Sequence, residues 1–318
     1  MTRILVTGIG GDLGHGIGKI LRRSGVAQFL VGCDVHDEHA GTMFFDRCEI
    51  VGRADSPDFL ESLLRIAKAN RVDMIVPTAE PELRFISKAG LSGSLEGIPL
   101  VMANEKALRV GFDKLETANF LKANGLPFPW TKMVIEGPPE RYPCLIKERF
   151  GAGSKGVAIV QPAKVDLYRQ ERANDIWQEY LEPSVSEYTC GIYRTGSDQV
   201  RTITFWRKLS GGHTGYGRVV SDKPEIDSLL VSVARAIGLR GSINAQLILT
   251  ARGPVIFEIN PRFSSTVVFR HLLGFQDVIW SIQERLGEPI SGYVAPRNGT
   301  AFYRGADELI LPNGIEQQ

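Results

Sequence analysis

The residues best suited to chemistry lie late in the chain, in Val255-Ile256-Phe257-Glu258-Ile259-Asn260-Pro261-Arg262 and, before it, Ser242-Ile243-Asn244-Ala245-Gln246. Apolar and polar residues alternate there as a half-buried strand requires, so Glu258 and Asn260 stand on one face of that strand. Gln246 ends a second strand pattern, and the turn Thr250-Ala251-Arg252-Gly253-Pro254 predicts a hairpin that carries its side chain to the same place. One carboxylate and two amides then offer three oxygen ligands to one small volume. So sparse a set suits Mg²⁺, which completes its octahedron with water and phosphate oxygens. Arg262 follows at once, with the planar, permanently charged fork that suits a migrating phosphoryl group. The chemistry predicted is phosphoryl transfer. The alternative is an ordinary hairpin with polar residues on its wet face, and the rest of the chain has to decide between the two.

The elements that must position these residues fall into two styles. Arg3 to Thr7, Phe29 to Asp34 and Met74 to Thr78 read as short apolar strands, with a helical pattern through Leu21 after the first and an amphipathic helix from Asp58 to Ala69 before the third. Strands alternating with helices predict a doubly wound parallel sheet over roughly the first hundred residues. Asn104 to Ala123 reads as one helix, stopped by Asn124-Gly125-Leu126-Pro127-Phe128-Pro129. From Pro143 onward strands and hairpins prevail: Leu145 to Lys147, Val157 to Val160, Trp177 to Leu181, Tyr188 to Tyr193 and Val200 to Arg207. Helices are predicted at Asp227 to Ile237 and Phe275 to Leu286, and the tail from Pro312 to Gln318 is expected to fray.

Two glycine-rich loops punctuate this pattern. The first reads T-G-x-x-G-x-x-G at Thr7, Gly8, Gly11 and Gly14, with Asp34 at the end of the next strand, where a ribose-binding acid would stand. Alone it suggests an NAD-dependent nucleotide-sugar enzyme. Such enzymes need a tyrosine with a lysine four residues on, and none of the eight tyrosines has one, so the loop reads as a structural turn or a cup for an anionic group. The second loop, Lys147-Glu148-Arg149-Phe150-Gly151-Ala152-Gly153-Ser154-Lys155-Gly156-Val157, lies between two strands and reads as a mobile lid whose backbone N–H groups can close over phosphates. Lys147, on the strand before it, is placed to neutralise an inner phosphate. Lys114, in Phe112-Asp113-Lys114, could approach from another element.

In their order these motifs resemble the ATP-grasp superfamily: Asp-Lys on a helix, Lys147 before a glycine lid, the strand ending Gln178-Glu179-Tyr180-Leu181, Glu187-Tyr188-Thr189, then Gln246, Glu258, Asn260 and Arg262. Gly212-His213-Thr214-Gly215 adds a likeness to the carbamoyl-phosphate-synthase-like, single-chain carboxylate-amine ligases. The resemblance covers nearly the whole chain and implies an α/β and α+β fold. A substrate domain, a doubly wound parallel sheet, would span 1–104, a small lobe with the lid 105–182, and a C-terminal lobe with the metal site 183–318, the two lobes clasping ATP.

Site roles follow from the same resemblance. Adenine would lie near Glu179 and Leu181, and Glu187 would take the ribose hydroxyls. Lys114, Lys147 and the lid, including Gly151, Gly153, Ser154 and Gly156, would hold phosphates, and His213 would join them. Gln246, Glu258 and Asn260 would bind one or two Mg²⁺, with Mn²⁺ as a substitute, and Arg262 would stabilise the transferring phosphoryl. Thr78, Glu80 and Arg270 are candidate substrate contacts, Arg270 as a clamp for a second carboxylate. The sequence departs from the family at Glu148, where proline is usual after the lid lysine, and at Gly191, where an acid often stands.

The reaction implied is ATP-dependent activation of a small carboxylate as an acyl phosphate, with release of ADP, followed by amide formation with an amine. Alternatives are bicarbonate activation, as in carbamoyl phosphate synthases, and a nucleotide-binding module without turnover. Composition agrees with a globular chain of two or three units: 318 residues, 43% hydrophobic, 23% charged, net charge +1. That balance predicts neither nucleic acid nor membrane as partner, and a cytoplasmic location. Homodimerisation is expected from the family. The four scattered cysteines predict reduced, buried thiols.

Overall fold

The computed structural model describes residues 2–91, 93–151, 156–182, 187–210 and 213–305. The chain opens with β1 (Arg3–Thr7), α1 (Asp12–Ser24), β2 (Phe29–Asp34), β3 (Arg47–Ile50), α2 (Phe59–Ala69), β4 (Met74–Val76) and α3 (Glu80–Lys88). These strands are wholly parallel, in the order β3-β2-β1-β4, and β1 lies between its partners with Ile4 opposite Leu30 on one side and Met74 on the other. A parallel sheet covered on both faces needs continuous apolar strands. Leu5, Val31 and Ile75 face one core, and Ile4, Val6, Leu30 and Val76 the other.

The first glycine loop forms the tight β1–α1 turn. Gly8 takes the left-handed φ of 59°, and a Cβ on Gly14 would stand 2.2 Å from the Gly8 carbonyl, so both positions exclude larger residues. The Gly10 N–H donates to Asp34 Oδ2 at 2.8 Å, so the carboxylate that stands where a ribose-binding acid would stand supports the loop itself. Thr78 is also internal: its hydroxyl donates to the Thr7 carbonyl at 2.8 Å.

A two-stranded pair, β5 (Ser94–Leu95) and β6 (Ile98–Pro99), leads to α4 (Glu105–Phe112) and α5 (Lys114–Ala123). The single helix expected over this stretch is broken at Asp113. There the backbone turns extended, at φ −123° and ψ 113°, and the carboxylate accepts from the N–H groups of Leu115 and Glu116 at 3.0 and 3.3 Å, an N-cap that starts a new helix.

The next sheet, in the order β7-β10-β8-β9, is antiparallel and comprises β7 (Thr131–Met133), β8 (Cys144–Lys147), β9 (Ala158–Val160) and β10 (Ile176–Glu179), with α6 (Val165–Glu171) against it. It has its own core of Trp130, Val134, Cys144, Ile146, Val160, Val165 and Trp177. The largest sheet runs β15-β14-β11-β12-β13-β16. Its members are β11 (Glu187–Arg194), β12 (Val200–Ser210), β13 (His213–Val219), β14 (Gly241–Thr250), β15 (Gly253–Asn260) and β16 (Ala301–Tyr303), with α7 (Pro224–Ile237), α8 (Val267–Leu272) and α9 (Asp277–Leu286).

The first and largest sheets share two interiors, and the largest keeps a third around Tyr193, Phe205 and Trp280. One core joins Leu5 and Val31 to Ile243 and Ile256, and another joins Ile4 and Ile20 to Phe263, Val278 and Ile282. Cys33, Cys144 and Cys190 are buried free thiols as expected, and burial pushes Cys190 up to about 12, but Cys48 lies exposed on the edge strand β3. Among the described residues no helix is long and apolar enough to cross a membrane. The 312–318 tail, expected to fray, lies outside the described residues.

Candidate active site

The β14–β15 hairpin forms as its turn chemistry requires. Gln246 stands opposite Glu258 and Asn244 opposite Asn260, so all four side chains point from one face. A bulge after Gln246 inserts Phe257 into the wall of the same space. Arg262 follows the strand end, where its N–H donates to the Asn260 carbonyl at 2.8 Å and its Nη1 to the Phe263 carbonyl at 2.9 Å.

Between this hairpin and the small antiparallel sheet lies a cavity of about 420 Å³. Gln246, Glu258, Asn260 and Arg262 line one wall. Lys114, Lys147 and Gly151 line the opposite side, and Glu179, Leu181 and Glu187 the remainder. These are ten of the residues singled out in the sequence. Gly153, Ser154 and the His213 side chain lie outside the described residues, and Gly156 is described but is not among the lining residues.

Lys147 is only 8% exposed and donates to Gln178 Oε1 at 2.7 Å, with its ammonium 5.0 Å from the Phe257 ring centre. Burial lowers its pKa to about 8, with Lys114 adding repulsion and Glu258 and Glu187 opposing the shift. Lys114 Nζ stands 3.9 Å from Glu258 Oε1 and also donates to the Gly151 carbonyl. It is aimed by the Asp113 break, and Arg149 at the lid's start grips Asp113 at 2.7 Å. Two cations thus flank one carboxylate, an arrangement that lacks only further negative charge.

At the other end Leu145, Val157, Ile248 and Phe257 make an apolar slot beside Tyr180 and Leu181. The Glu179 N–H is taken by the Trp130 carbonyl at 2.8 Å, and its carboxylate is held by Arg252 at 2.5 Å. Glu187 is paired with Arg207 at 2.6 Å across the β11–β12 ladder.

The donor set can be tested against a metal. Among the described residues no group of three His, Cys, Asp or Glu could hold an ion, so a cage built of charged ligands is absent there. One carboxylate and two amide oxygens on neighbouring strands fit a hard cation that draws its remaining ligands from phosphate and water.

The three residues named for substrate lie elsewhere. Thr78 is tied to Thr7, and Glu80 to Arg84 at 2.7 Å. Arg270 is fully buried, against Asn244 and Asp277, and so is not a clamp open to substrate. Sequence reading missed Gln178, Arg207, Phe257 and Ser265 as lining residues. The alternation Ile203, Phe205, Arg207 puts an arginine on an inward face, a signal available without the structure; Gln178 and Phe257 depend on strand register and the bulge, and Ser265 on the turn after β15.

Residues 112–266 match a family model described as an ATP-grasp domain. A carbamoyl phosphate synthase large chain from Thermoplasma acidophilum is 25% identical over 238 residues, 65% of this chain but 22% of that protein. The chain therefore spans about a fifth of that relative's length. A phosphoribosylamine–glycine ligase from Pyrococcus furiosus is 23% identical over 330 residues, covering 90% of this chain and 72% of its own. The crystal structure of N5-carboxyaminoimidazole ribonucleotide synthetase from Thermus thermophilus superposes with a TM-score of 0.74 at 18% identity, covering 94% of this chain and 82% of that one.

Proposed function

Since residues 112–266 match the ATP-grasp domain model and the chain superposes on an enzyme of that fold, we propose that the protein is an ATP- and Mg²⁺-dependent carboxylate-amine ligase that forms ADP. One observation carries the reading: a single cavity gathers two lysines, a carboxylate flanked by two amides, and an arginine, next to an apolar slot. This is the order that a nucleotide's phosphates, their metal and its base demand.

In this reading the Glu179 carbonyl and the Leu181 N–H take the adenine edge, and Glu187, held still by Arg207, takes the ribose. Lys114 and Lys147 neutralise the phosphates. Gln246, Glu258 and Asn260 hold Mg²⁺, which when bound supplies positive charge to the phosphate oxygens. A substrate carboxylate oxygen attacks the γ-phosphorus and ADP departs; the amine then adds to the acyl carbon and phosphate departs. Arg262 stabilises the charge on the phosphoryl group in flight, and no protein nucleophile is needed. The segment 1–104 serves as substrate domain, 105–182 as the small lobe and 183–318 as the C-terminal lobe, in a homodimer.

The test is incubation with ATP, Mg²⁺ and pooled small carboxylates in the presence of hydroxylamine. ADP with a carboxylate-derived hydroxamate is expected. Nucleotide binding without ADP formation from any pool would instead indicate a binding module, and a bicarbonate requirement would indicate carboxyphosphate chemistry.

A further inference from the structure

Beside the cavity, on the same face of the sheet, lies a buried polar seam that the reaction just described does not use. Arg270 on α8 is 0% exposed, and its Nη2 donates to Asn244 Oδ1. Its Nη1 lies 3.6 Å from Asp277 Oδ2, which also accepts from Ser242 Oγ at 2.7 Å. Thr189 donates to the same Asn244 oxygen at 2.9 Å. The guanidinium is seated over Gly191: a Cβ there would come within 2.8 Å of Arg270 Cζ. The missing side chain at Gly191 is what makes room for the arginine.

An arginine with no solvent and few partners is expensive to keep. Among the described residues, Nε and Nη1 of Arg270 and Oδ1 of Asp277 have no hydrogen-bond partner, and replacing such a cluster by apolar groups is often neutral or stabilising. Its position gives a reason for keeping it. Asn244, which Arg270 grips, is the cross-strand partner of Asn260, with Cβ atoms roughly 5 Å apart in such pairs. Thr189, on the same oxygen, pairs with Gln246. Both amide ligands assigned to the metal thus stand beside cross-strand neighbours that one guanidinium and one shared oxygen hold in place.

We propose that Arg270 is a positioning residue, resting on the metal assignment above, that holds Asn244 and through the strand ladder sets Asn260 and Gln246 for the metal at the phosphate end of the cavity. Supporting groups of this kind change metal affinity by about 10- to 100-fold when removed. The measurement is binding of Mn²⁺ to the ADP-saturated protein, followed by electron paramagnetic resonance, which needs neither carboxylate substrate nor turnover. Folding is checked by thermal melting.

Arg270→Met is expected to weaken Mn²⁺ binding about tenfold, with metal-free ADP affinity changed less than twofold, and Arg270→Lys to recover part of the loss. Gly191→Ala, which displaces the guanidinium while keeping its charge, should weaken Mn²⁺ to a similar degree. In the Gly191→Ala, Arg270→Met double variant the two losses should not add. Folded Arg270→Met with unchanged Mn²⁺ affinity overturns the proposal; if that variant does not fold, unchanged affinity in folded Gly191→Ala does so. Failure of the unsubstituted protein to bind Mn²⁺ with ADP would remove the metal assignment itself, and this inference with it.

Discussion

At the scale of single residues, Arg262 and Lys147 carry the sharpest consequences. Arg262→Ala should lose about 3 kcal/mol of transition-state stabilisation, on the order of a hundredfold in kcat, with a smaller change in the KM for ATP. Lys147 should make activity sensitive to alkali. Its ammonium is charged below its lowered pKa of about 8 and neutral above it, so kcat/KM for ATP should be flat near pH 7 and fall as pH rises through 8. The guanidinium of Lys147→Arg stays charged, so that variant should lose the inflection. Folding feels the same shift with opposite sign. Between pH 8 and the ordinary value of 10.5 the unfolded chain holds a proton that the folded one lacks, so Lys147 favours folding more as pH rises through that window. Much at this scale was legible in the sequence, because strand alternation assigns faces: Glu258, Asn260 and Gln246 could be placed together from period and turn alone. Arg270 could not, because the room made for it is an absent side chain on another strand.

Among elements, the break between α4 and α5 shows where local reading gave out. Asn104 to Ala123 is apolar and polar at helical spacing throughout, and nothing in that periodicity distinguishes one long helix from two. The aspartate that decides it acts through a cap and through Arg149, thirty-six residues away in sequence. Asp113→Ala removes both the cap and the arginine's partner. It should cost about 1 kcal/mol of stability, lower Tm by about 2 °C, and raise the KM for ATP severalfold because Lys114 and the lid's start lose their common anchor. Thermal melting and initial-rate kinetics on one preparation would check both. The parallel sheet was predictable from alternating strands and helices, whereas edge strands β3 and β16, short and pattern-poor, were not.

Across the whole molecule, interiors are shared unequally. The small antiparallel sheet keeps its own core, while the first and largest sheets are joined by two cores. Amides of β8 and β10 should therefore exchange with solvent faster than those of β1 and β14 in the free protein, and slow on addition of ATP and Mg²⁺; equal rates in the free state would argue against this division. Nucleotide at a hundred times its dissociation constant should add about 2.7 kcal/mol of stability. The shared cores also bear on biosynthesis. Ile4, Val6, Ile17 and Leu30 share their core with Phe263, Val267, Val278 and Ile282, far along the chain. At translation rates of about 5–20 residues per second the ribosome needs on the order of 10 to 50 s to pass from residue 30 to residue 263. For that time one face of the nascent parallel sheet lacks the part of its cover that α8 and α9 supply, and chaperone occupancy on stalled chains should stay high until the segment carrying them has emerged.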